Sequence, residues 1–534
     1  MLKPKQHKSM EAAWSYLLHL EDEGEKPLDV VEEPLDFESS ETLDADEQLL
    51  HLNDGAKLII CMVGKPARGK SFMAAKIQRY SEWLGYRARH IETVSVRRKL
   101  FGKVEPDDFF NPNGAEMATQ RGAAQEEALK ESLDFLQKGG QVVIYDASNS
   151  TRERRRWVTK YVEENLVDKT DNSHNIVKYR LLWVESICEN RDLIVQNFLE
   201  LRKTSATTNF MEYRDLDNEQ ATAKFLEKLR FYDEEYEALD MENEADRQLS
   251  FIKIVEFSEN LMINRVRGYM ESKLVSFCMN IHTEPRAIIL VRHGQSEYNL
   301  QDRIGGDPNL TEAGDQFARN LAKFVEERAP HGLQIEDDEM VSGSDAYSFN
   351  PGKDLFVWTS TLKRTVGTTK YCKCRANVQW TALGEIDAGV CECMTYTEFK
   401  TKLTSQYMKR QQNKASWRYP GGESYIDVKK RLEPLIFELE RQRKPILICS
   451  HRAVLRCLYS YFFGISIKEC PFLPFPLHTA LVLTPTSSGW NEERIPLAPN
   501  IGDTGAHEQD VQAAAAKILK SQAKRRKLRE ETKK

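Results

Sequence analysis

Two histidines in this chain have neighbours that suit chemistry on a phosphoryl group. His293 follows the apolar run Ala287-Ile288-Ile289-Leu290-Val291 and lies in the triplet Arg292-His293-Gly294, with Ser296, Glu297 and Asn299 just behind. His451 follows Ile446-Leu447-Ile448-Cys449 and precedes Arg452 and Arg456. Each run has the length and β-branched content of a buried strand, so both imidazoles are predicted at carboxyl ends of strands, where open α/β sheets bind ligands. A transferring phosphoryl group spreads charge over three oxygens, so one imidazole can attack in line while cations stabilise the charge. His293 is the candidate nucleophile, and Arg292, Arg364 and His451 are the candidate stabilisers. A departing alkoxide needs a proton, and Glu385, in Leu383-Gly384-Glu385-Ile386-Asp387-Ala388-Gly389, is the candidate acid. Gly294 is expected to let the backbone approach a phosphate closely.

A second constellation lies upstream. The apolar run Leu58 to Val63 leads into Gly64-Lys65-Pro66-Ala67-Arg68-Gly69-Lys70-Ser71 and then into the helix-forming Met73-Ala74-Ala75-Lys76. Strand, glycine-rich loop and helix in that order form a phosphate loop: backbone amides cradle phosphates, Lys70 reaches them, and the Ser71 hydroxyl ligates magnesium. Asp146, at the end of the strand Gln141 to Tyr145, is the candidate magnesium-ordering or proton-accepting carboxylate. Arg152 is placed to face phosphate, whereas Arg154, Arg155 and Arg156 are expected on the solvent side of a helix start.

These motifs need sheets to hold them. Strands alternating with helices across the chain predict an α/β fold: two doubly wound, mostly parallel sheets, a phosphate-loop domain followed by a second domain opening on the His293 strand. The predicted divisions are an acidic, weakly structured extension over 1–54, a first domain over 55–280, a second over 281–490, and a loose tail over 491–534 with a basic helix. In the first domain, Ser250 to Val255 is predicted as the last strand and Asn260 to Ile281 as a connector. In the second, Thr311 is a helix N-cap, and Ala329 to Lys353 is a loop longer than usual.

A chain of 534 residues with 40% hydrophobic content has room for several cores. No apolar run approaches the ~20 residues of a membrane span, and Met1 to Lys5 lacks the apolar segment of a signal peptide. The expectation is a soluble cytoplasmic protein whose ten cysteines are reduced. Cys372-Lys-Cys374 and Cys391-Glu-Cys393 are spaced too tightly for usual zinc loops and are read as packing residues. The net charge of -6 does not favour nucleic acid.

Taken together, Gly64 to Ser71, Tyr145-Asp146-Ala147-Ser148-Asn149 to Arg155, Arg292-His293-Gly294, Arg303 to Gly306, Val357 to Ser360, Glu385 to Glu392, Arg418 to Tyr425 and Pro476 to Thr479 resemble, in order, the bifunctional 6-phosphofructo-2-kinase/fructose-2,6-bisphosphatase family. Its second half resembles the histidine phosphatases, which include phosphoglycerate mutases. The resemblance implies that His293 takes the 2-phosphate of fructose 2,6-bisphosphate and that Glu385 serves as acid and then base. It implies that Asn299 and Gly305 touch the same phosphate, and that Tyr396, Arg410, Lys414 and Arg456 hold the sugar and its 6-phosphate; Arg452 is a further substrate-binding candidate. ATP and magnesium are the implied cofactors of the first half, held by Gly64 to Ser71, Asn197 and Asp146, with Ser148, Arg97 and Arg98 as further kinase-site candidates. No cofactor is implied for the second half.

The departures from the family pattern gather in the first half. Ile91-Glu92-Thr93-Val94-Ser95-Val96-Arg97-Arg98 stands where kinase-competent members carry Phe-Asn-Val-Gly-x-Tyr-Arg-Arg, and a Glu facing a sugar phosphate repels it. Leu201 to Phe210 lacks the usual Ser-Ser-Pro-Asp-Tyr, and Lys228 replaces an arginine, a swap that a bidentate site does not tolerate as conservative. In the second half, Arg452 replaces a glutamine. The sequence therefore predicts a fructose-2,6-bisphosphatase that controls the level of its substrate, and so glycolysis and gluconeogenesis, with a nucleotide-binding kinase-like domain of weak or absent activity. A balanced bifunctional enzyme, a mutase and a catalytically silent sensor of nucleotide or sugar phosphate are the alternatives. Small-molecule sugar phosphates and ATP are the expected partners, with no membrane and with a homodimer left open. Lys524-Arg525-Arg526-Lys527 is read as a solvated helix end.

Overall fold

Two strands that end on the motifs above, Lys57–Val63 and Ile288–Arg292, are flanked on both sides by other strands, each in a six-stranded sheet. The computed structural model describes residues 56–102, 115–166, 178–204, 213, 216–256, 259–282, 286–328, 350–486 and 489–499. The first sheet contains β1 (Lys57–Val63), β2 (Ala88–Glu92), β3 (Val142–Asp146), β4 (Tyr179–Ile187), β5 (Phe251–Val255) and β6 (Asn260–Asn264), in the spatial order β2-β3-β1-β4-β5-β6. All its pairings are parallel except the last. Central β1 reads as an unbroken apolar run because helices cover both faces, and Leu58 to Val63 are fully buried. Its helices include α1 (Lys70–Leu84), α2 (Thr93–Phe101), α3 (Ala115–Gln137), α4 (Arg152–Leu166), α5 (Arg191–Thr204), α6 (Asn218–Glu235) and α7 (Tyr269–Cys278).

The second sheet contains β7 (Ile288–Arg292), β8 (Phe356–Thr359), β9 (Ala376–Gln379), β10 (Ile446–Ser450), β11 (Thr479–Thr486) and β12 (Gly489–Pro496), ordered β12-β11-β7-β10-β8-β9. Here β7, β10, β8 and β9 run parallel, and β11 and β12 close the edge as an antiparallel hairpin. Helices α8 (Glu312–Arg328), α9 (Lys363–Thr369), α10 (Tyr396–Lys402), α11 (Thr404–Gln412), α12 (Tyr425–Arg441) and α13 (Arg452–Phe463) belong to this half. The amide of Gly314 donates to the Thr311 hydroxyl at 3.2 Å, so Thr311 does act at the start of α8.

The α/β class stands as predicted, and two segments differ from expectation. Asn260 to Ile281 is no plain connector: Asn260–Asn264 pairs antiparallel with β5, and α7 follows. The polar composition after Pro485 nonetheless forms β12, an edge strand whose side chains are mostly half-buried or exposed. Cys372, Cys374 and Cys391 are at least half-buried among apolar side chains, but Cys393 is exposed. The N-terminal extension, most of the 329–353 loop, residues 205–210 and the basic C-terminal cluster lie outside the described residues.

The two halves share one apolar cluster that runs from α1 and α7 to α12 and α13. Inside it, Lys76 of α1 forms a buried ion pair with Glu440 of α12, and the Tyr461 hydroxyl donates to the same carboxylate at 2.6 Å. Burial would raise the Glu440 carboxyl, but Lys76 and Arg286 outweigh it and hold the group at about 2. Tyr80 donates to Glu433 at 2.7 Å, and Lys273 pairs with that carboxylate at 2.8 Å. Removing one partner of a buried pair strands the other charge. Lys76→Ala is therefore expected to lower unfolding free energy by about 3–5 kcal/mol in urea melts. The double change Lys76→Met with Glu440→Leu should recover most of that loss, and equal losses in both variants would count against the pair.

Candidate active site

The parallel register of β7 and β10 sets Arg292 opposite Ser450, so the residues that follow, His293 and His451, emerge side by side. Their ring centroids lie 5.3 Å apart, and the His293 amide donates to the Ser450 carbonyl at 3.1 Å. Nδ1 of His293 lies 2.8 Å from the Gly294 carbonyl oxygen. A carbonyl only accepts, so Nδ1 carries the proton and Nε2 keeps its lone pair. His451 Nε2 bonds the Ser360 hydroxyl at 2.7 Å, while its buried Nδ1 has no hydrogen-bond partner. Burial first, and the Arg364 guanidinium next, push both imidazoles well below their ordinary value.

The His293 ring borders a concave pocket, lined by Arg292, His293, Asn299, Gly305, Arg364, Glu385, Tyr396, Arg410, Lys414, Arg452 and Arg456. Every phosphatase-half candidate except His451 is thus in the lining, and the His451 ring lies beside that of His293. Arg364 donates to the Gly306 carbonyl at 2.7 Å. Asn299 uses its Oδ1 to accept from the Ser296 amide and hydroxyl, each at 2.9 Å, which holds the turn after the histidine. Arg410 of α11 faces the Tyr396 and Tyr419 rings at 5.8 and 5.7 Å, and Arg456 of α13 donates to the Tyr425 hydroxyl at 3.0 Å. Lys414 lies 5.6 Å from the Phe472 ring.

The loop bearing Glu385 is pinned by Arg431 of α12, which donates to the carbonyls of Gly384 at 2.9 Å and Glu385 at 3.1 Å and pairs with Glu423 at 2.8 Å. No motif or spacing in the chain announces this clamp. Roles were also missed for Glu392, whose carboxylate accepts from the Gly306 and Ala388 amides, and for His478, which accepts from the Gln295 amide at 3.2 Å. Tyr425 also lines the pocket. Gly294 serves a different purpose from the one predicted: a Cβ there would sit 2.7 Å from the Gly314 carbonyl oxygen, so its missing side chain admits the start of α8 rather than a phosphate.

In the first half, the loop Gly64 to Ser71 joins β1 to α1. Gly64 has φ 141°, and a Cβ on it would meet the Ser186 carbonyl at 2.6 Å, so only glycine fits. Its amide donates to the Ser148 carbonyl at 3.0 Å. Lys70 folds back onto the Lys65 carbonyl at 2.6 Å, and burial lowers its ammonium to about 8. Lys65 pairs with Asp233, Arg68 donates to the Pro66 carbonyl at 3.1 Å, and the Asn197 amide reaches the Ala67 carbonyl at 3.5 Å. Gly69 caps α1 in a left-handed conformation. Asp146 is hydrogen-bonded to Ser71 and, at 3.0 Å, to His90. Burial would raise the Asp146 carboxyl, but the His90 contact outweighs it and lowers the group. Arg97 and Arg98 lie on α2, which follows β2 directly.

The arginines after Asp146 depart from prediction. Arg152 pairs with Glu237 at 2.8 Å and Asp246 at 3.2 Å instead of facing the loop. Arg155 is almost fully buried, donating to the Asn149 and Glu237 carbonyls and pairing with Asp246 at 3.3 Å. Arg154 stacks on Trp157 at 3.9 Å, and Arg156 alone of the three is exposed.

A phosphate-loop sheet joined to a sheet with two strand-end histidines makes this chain a nucleotide-binding α/β unit fused to a histidine-phosphatase unit. Comparison with known proteins agrees in both halves: 6-phosphofructo-2-kinase matches residues 45–285, and the histidine phosphatase superfamily (branch 1) matches residues 288–333 and 347–496. The chain belongs to the 6-phosphofructo-2-kinase/fructose-2,6-bisphosphatase family. It is 38% identical to 6-phosphofructo-2-kinase/fructose-2,6-bisphosphatase 3 of Rattus norvegicus over 85% of this chain and 74% of that protein. It is equally identical to the fructose-2,6-bisphosphatase of Saccharomyces cerevisiae, over 82% of this chain and 88% of that protein. Among the described residues, no helix is long and apolar enough to cross a membrane.

Because burial and Arg364 act together on His293 and His451, neither ring should gain a proton as pH falls from 8 to 6. Histidine-selective NMR titration checks this: the C2–H shifts of both should stay flat while exposed imidazoles titrate near 6.5.

Proposed function

We propose that the chain hydrolyses fructose 2,6-bisphosphate to fructose 6-phosphate and phosphate through a phosphohistidine at His293. The observation that carries this reading is the fixed tautomer: with Nδ1 bound to Gly294 and burial keeping the ring neutral, Nε2 is held as a nucleophile facing a cationic pocket. Nε2 attacks the 2-phosphorus, the P–O2 bond breaks, and Glu385 gives the departing oxygen its proton. Water then attacks the phosphohistidine, Glu385 takes its proton, and phosphate leaves. Arg292, Arg364 and His451 stabilise the charge on the transferring group. Asn299 and Gly305 border that phosphate, and Tyr396, Arg410, Lys414, Arg452 and Arg456 hold the sugar and its 6-phosphate. Four cations at that end suit a second dianion.

The first half is read as an ATP-binding domain whose kinase turnover is weak. Gly64 to Ser71, with Asn197, would hold the nucleotide. The Ser71 and Asp146 oxygens, bonded to one another, are hard donors that fit magnesium. The ion would neutralise phosphate charge there. Ser148, Arg97 and Arg98 remain the acceptor-side candidates, but β2 delivers Glu92 to the same end of the sheet, opposite Asp146.

Incubation with substrate labelled at the 2-phosphate should leave acid-labile label on the protein, and His293→Ala should remove it; an unlabelled wild type would overturn the assignment. On the same preparation, ATP-dependent synthesis from fructose 6-phosphate should run far below hydrolysis, and comparable rates would favour the balanced enzyme. ATP affinity should weaken as pH rises past about 8, where Lys70 loses its proton.

A further inference from the structure

Edge strand β2 carries two metal-ligating side chains on one face. His90 and Glu92 are two residues apart, so both project to the same side of the sheet. Parallel pairing puts Glu92 opposite Asp146, the last residue of β3. The imidazole and the two carboxylates bring one ligand atom each within 4.8 Å of one another. His90 Nε2 and Asp146 Oδ2 are 3.0 Å apart, and both side chains are nine-tenths buried. An ion bound at about 2.0–2.2 Å from nitrogen and oxygen needs ligand atoms roughly 3 Å apart or a little more, so the His90–Asp146 spacing matches one edge of a coordination shell. The Glu92 carboxylate, the most open of the three, accepts from the Ser95 hydroxyl at 2.8 Å and leaves a side of the cluster for water or phosphate.

We propose that His90, Glu92 and Asp146 form a divalent-cation site that takes a first-row transition ion in preference to magnesium. The ligand chemistry sets the preference: imidazole suits transition ions, whereas magnesium demands an oxygen octahedron and sheds its water reluctantly. Two carboxylates against one neutral imidazole give the ion full charge compensation. Thr93 steadies the site by donating to the Asp146 carbonyl at 2.9 Å. The site claims the same Asp146 that magnesium would use, so the two ions compete for it. Its occupancy needs neither nucleotide nor kinase turnover.

The test uses the full chain, stripped with chelator and free of nucleotide and sugar phosphate, with Mn2+ followed by electron paramagnetic resonance. Wild type should bind one tight equivalent, which Zn2+ displaces and a tenfold excess of Mg2+ does not. His90→Asn and Glu92→Gln should each weaken Mn2+ binding about tenfold or more, since each removes one ligand. Thermal melts report whether each variant is folded, and either variant suffices if the other is not. Absence of a tight equivalent in wild type, or unchanged affinity in the folded variants, overturns the site. Displacement by Mg2+ as ready as by Zn2+ overturns the preference and leaves an oxygen site on Ser71 and Asp146.

Discussion

The arrangement of the second half depends on one register: Ser450 lies opposite Arg292 in a parallel pair of buried strands. A slip of one residue would turn both strands over and send their apolar side chains out of the core, so the hydrophobic pattern itself fixes the register. With it fixed, the residue after each strand is an imidazole, and the two rings can only emerge as neighbours. Burial then does the electrostatic work. An imidazole closed off from water and surrounded by guanidinium groups is neutral, which is the state that can attack phosphorus. In the proposed reaction, the arginines that stabilise incoming charge also keep the His293 imidazole unprotonated.

The two catalytic ends are mechanically joined. Helix α1 begins at the phosphate loop and α13 begins just after His451, and the two pack together, with Trp83 against Tyr461 at 5.8 Å. Lys76, Glu440 and Tyr461 bind α1, α12 and α13 into one hydrogen-bonded node within an apolar cluster. A polar group in such surroundings is costly unless fully paired, so the node permits few relative positions of the halves. The same α12 carries Arg431, which clamps the Glu385 loop. The seam between the halves and the Glu385 loop therefore hang from one helix.

The central strands and their following residues were legible in the sequence because the signal is local: an apolar run, then an ionisable or glycine residue at its end. What escaped was non-local. Arg155 looks like one member of a solvated arginine cluster until Asp246, 91 residues away, folds beneath it. Arg431 reaches Glu385 across 46 residues, and no spacing rule announces such a clamp. Gly294 faces Gly314 only because the chain doubles back onto α8. Strand β2 was unread since it is an edge strand, Ala-Arg-His-Ile-Glu, with a single fully buried side chain.

The two halves differ most in how their key ionisation states are secured. At His293 and His451, burial and neighbouring cations push in the same direction, so the neutral form is doubly enforced. At Asp146 the two influences oppose: burial favours the acid, and the charged form survives through His90. A carboxylate already engaged by an imidazole has less to offer a magnesium ion or an acceptor hydroxyl, and Glu92 opposite it adds a negative charge where a sugar phosphate would approach. The phosphatase half is thus electrostatically self-sufficient. In the kinase half the ionised form of Asp146 rests on neighbouring side chains outside the phosphate loop, so its electrostatics can change with that loop intact.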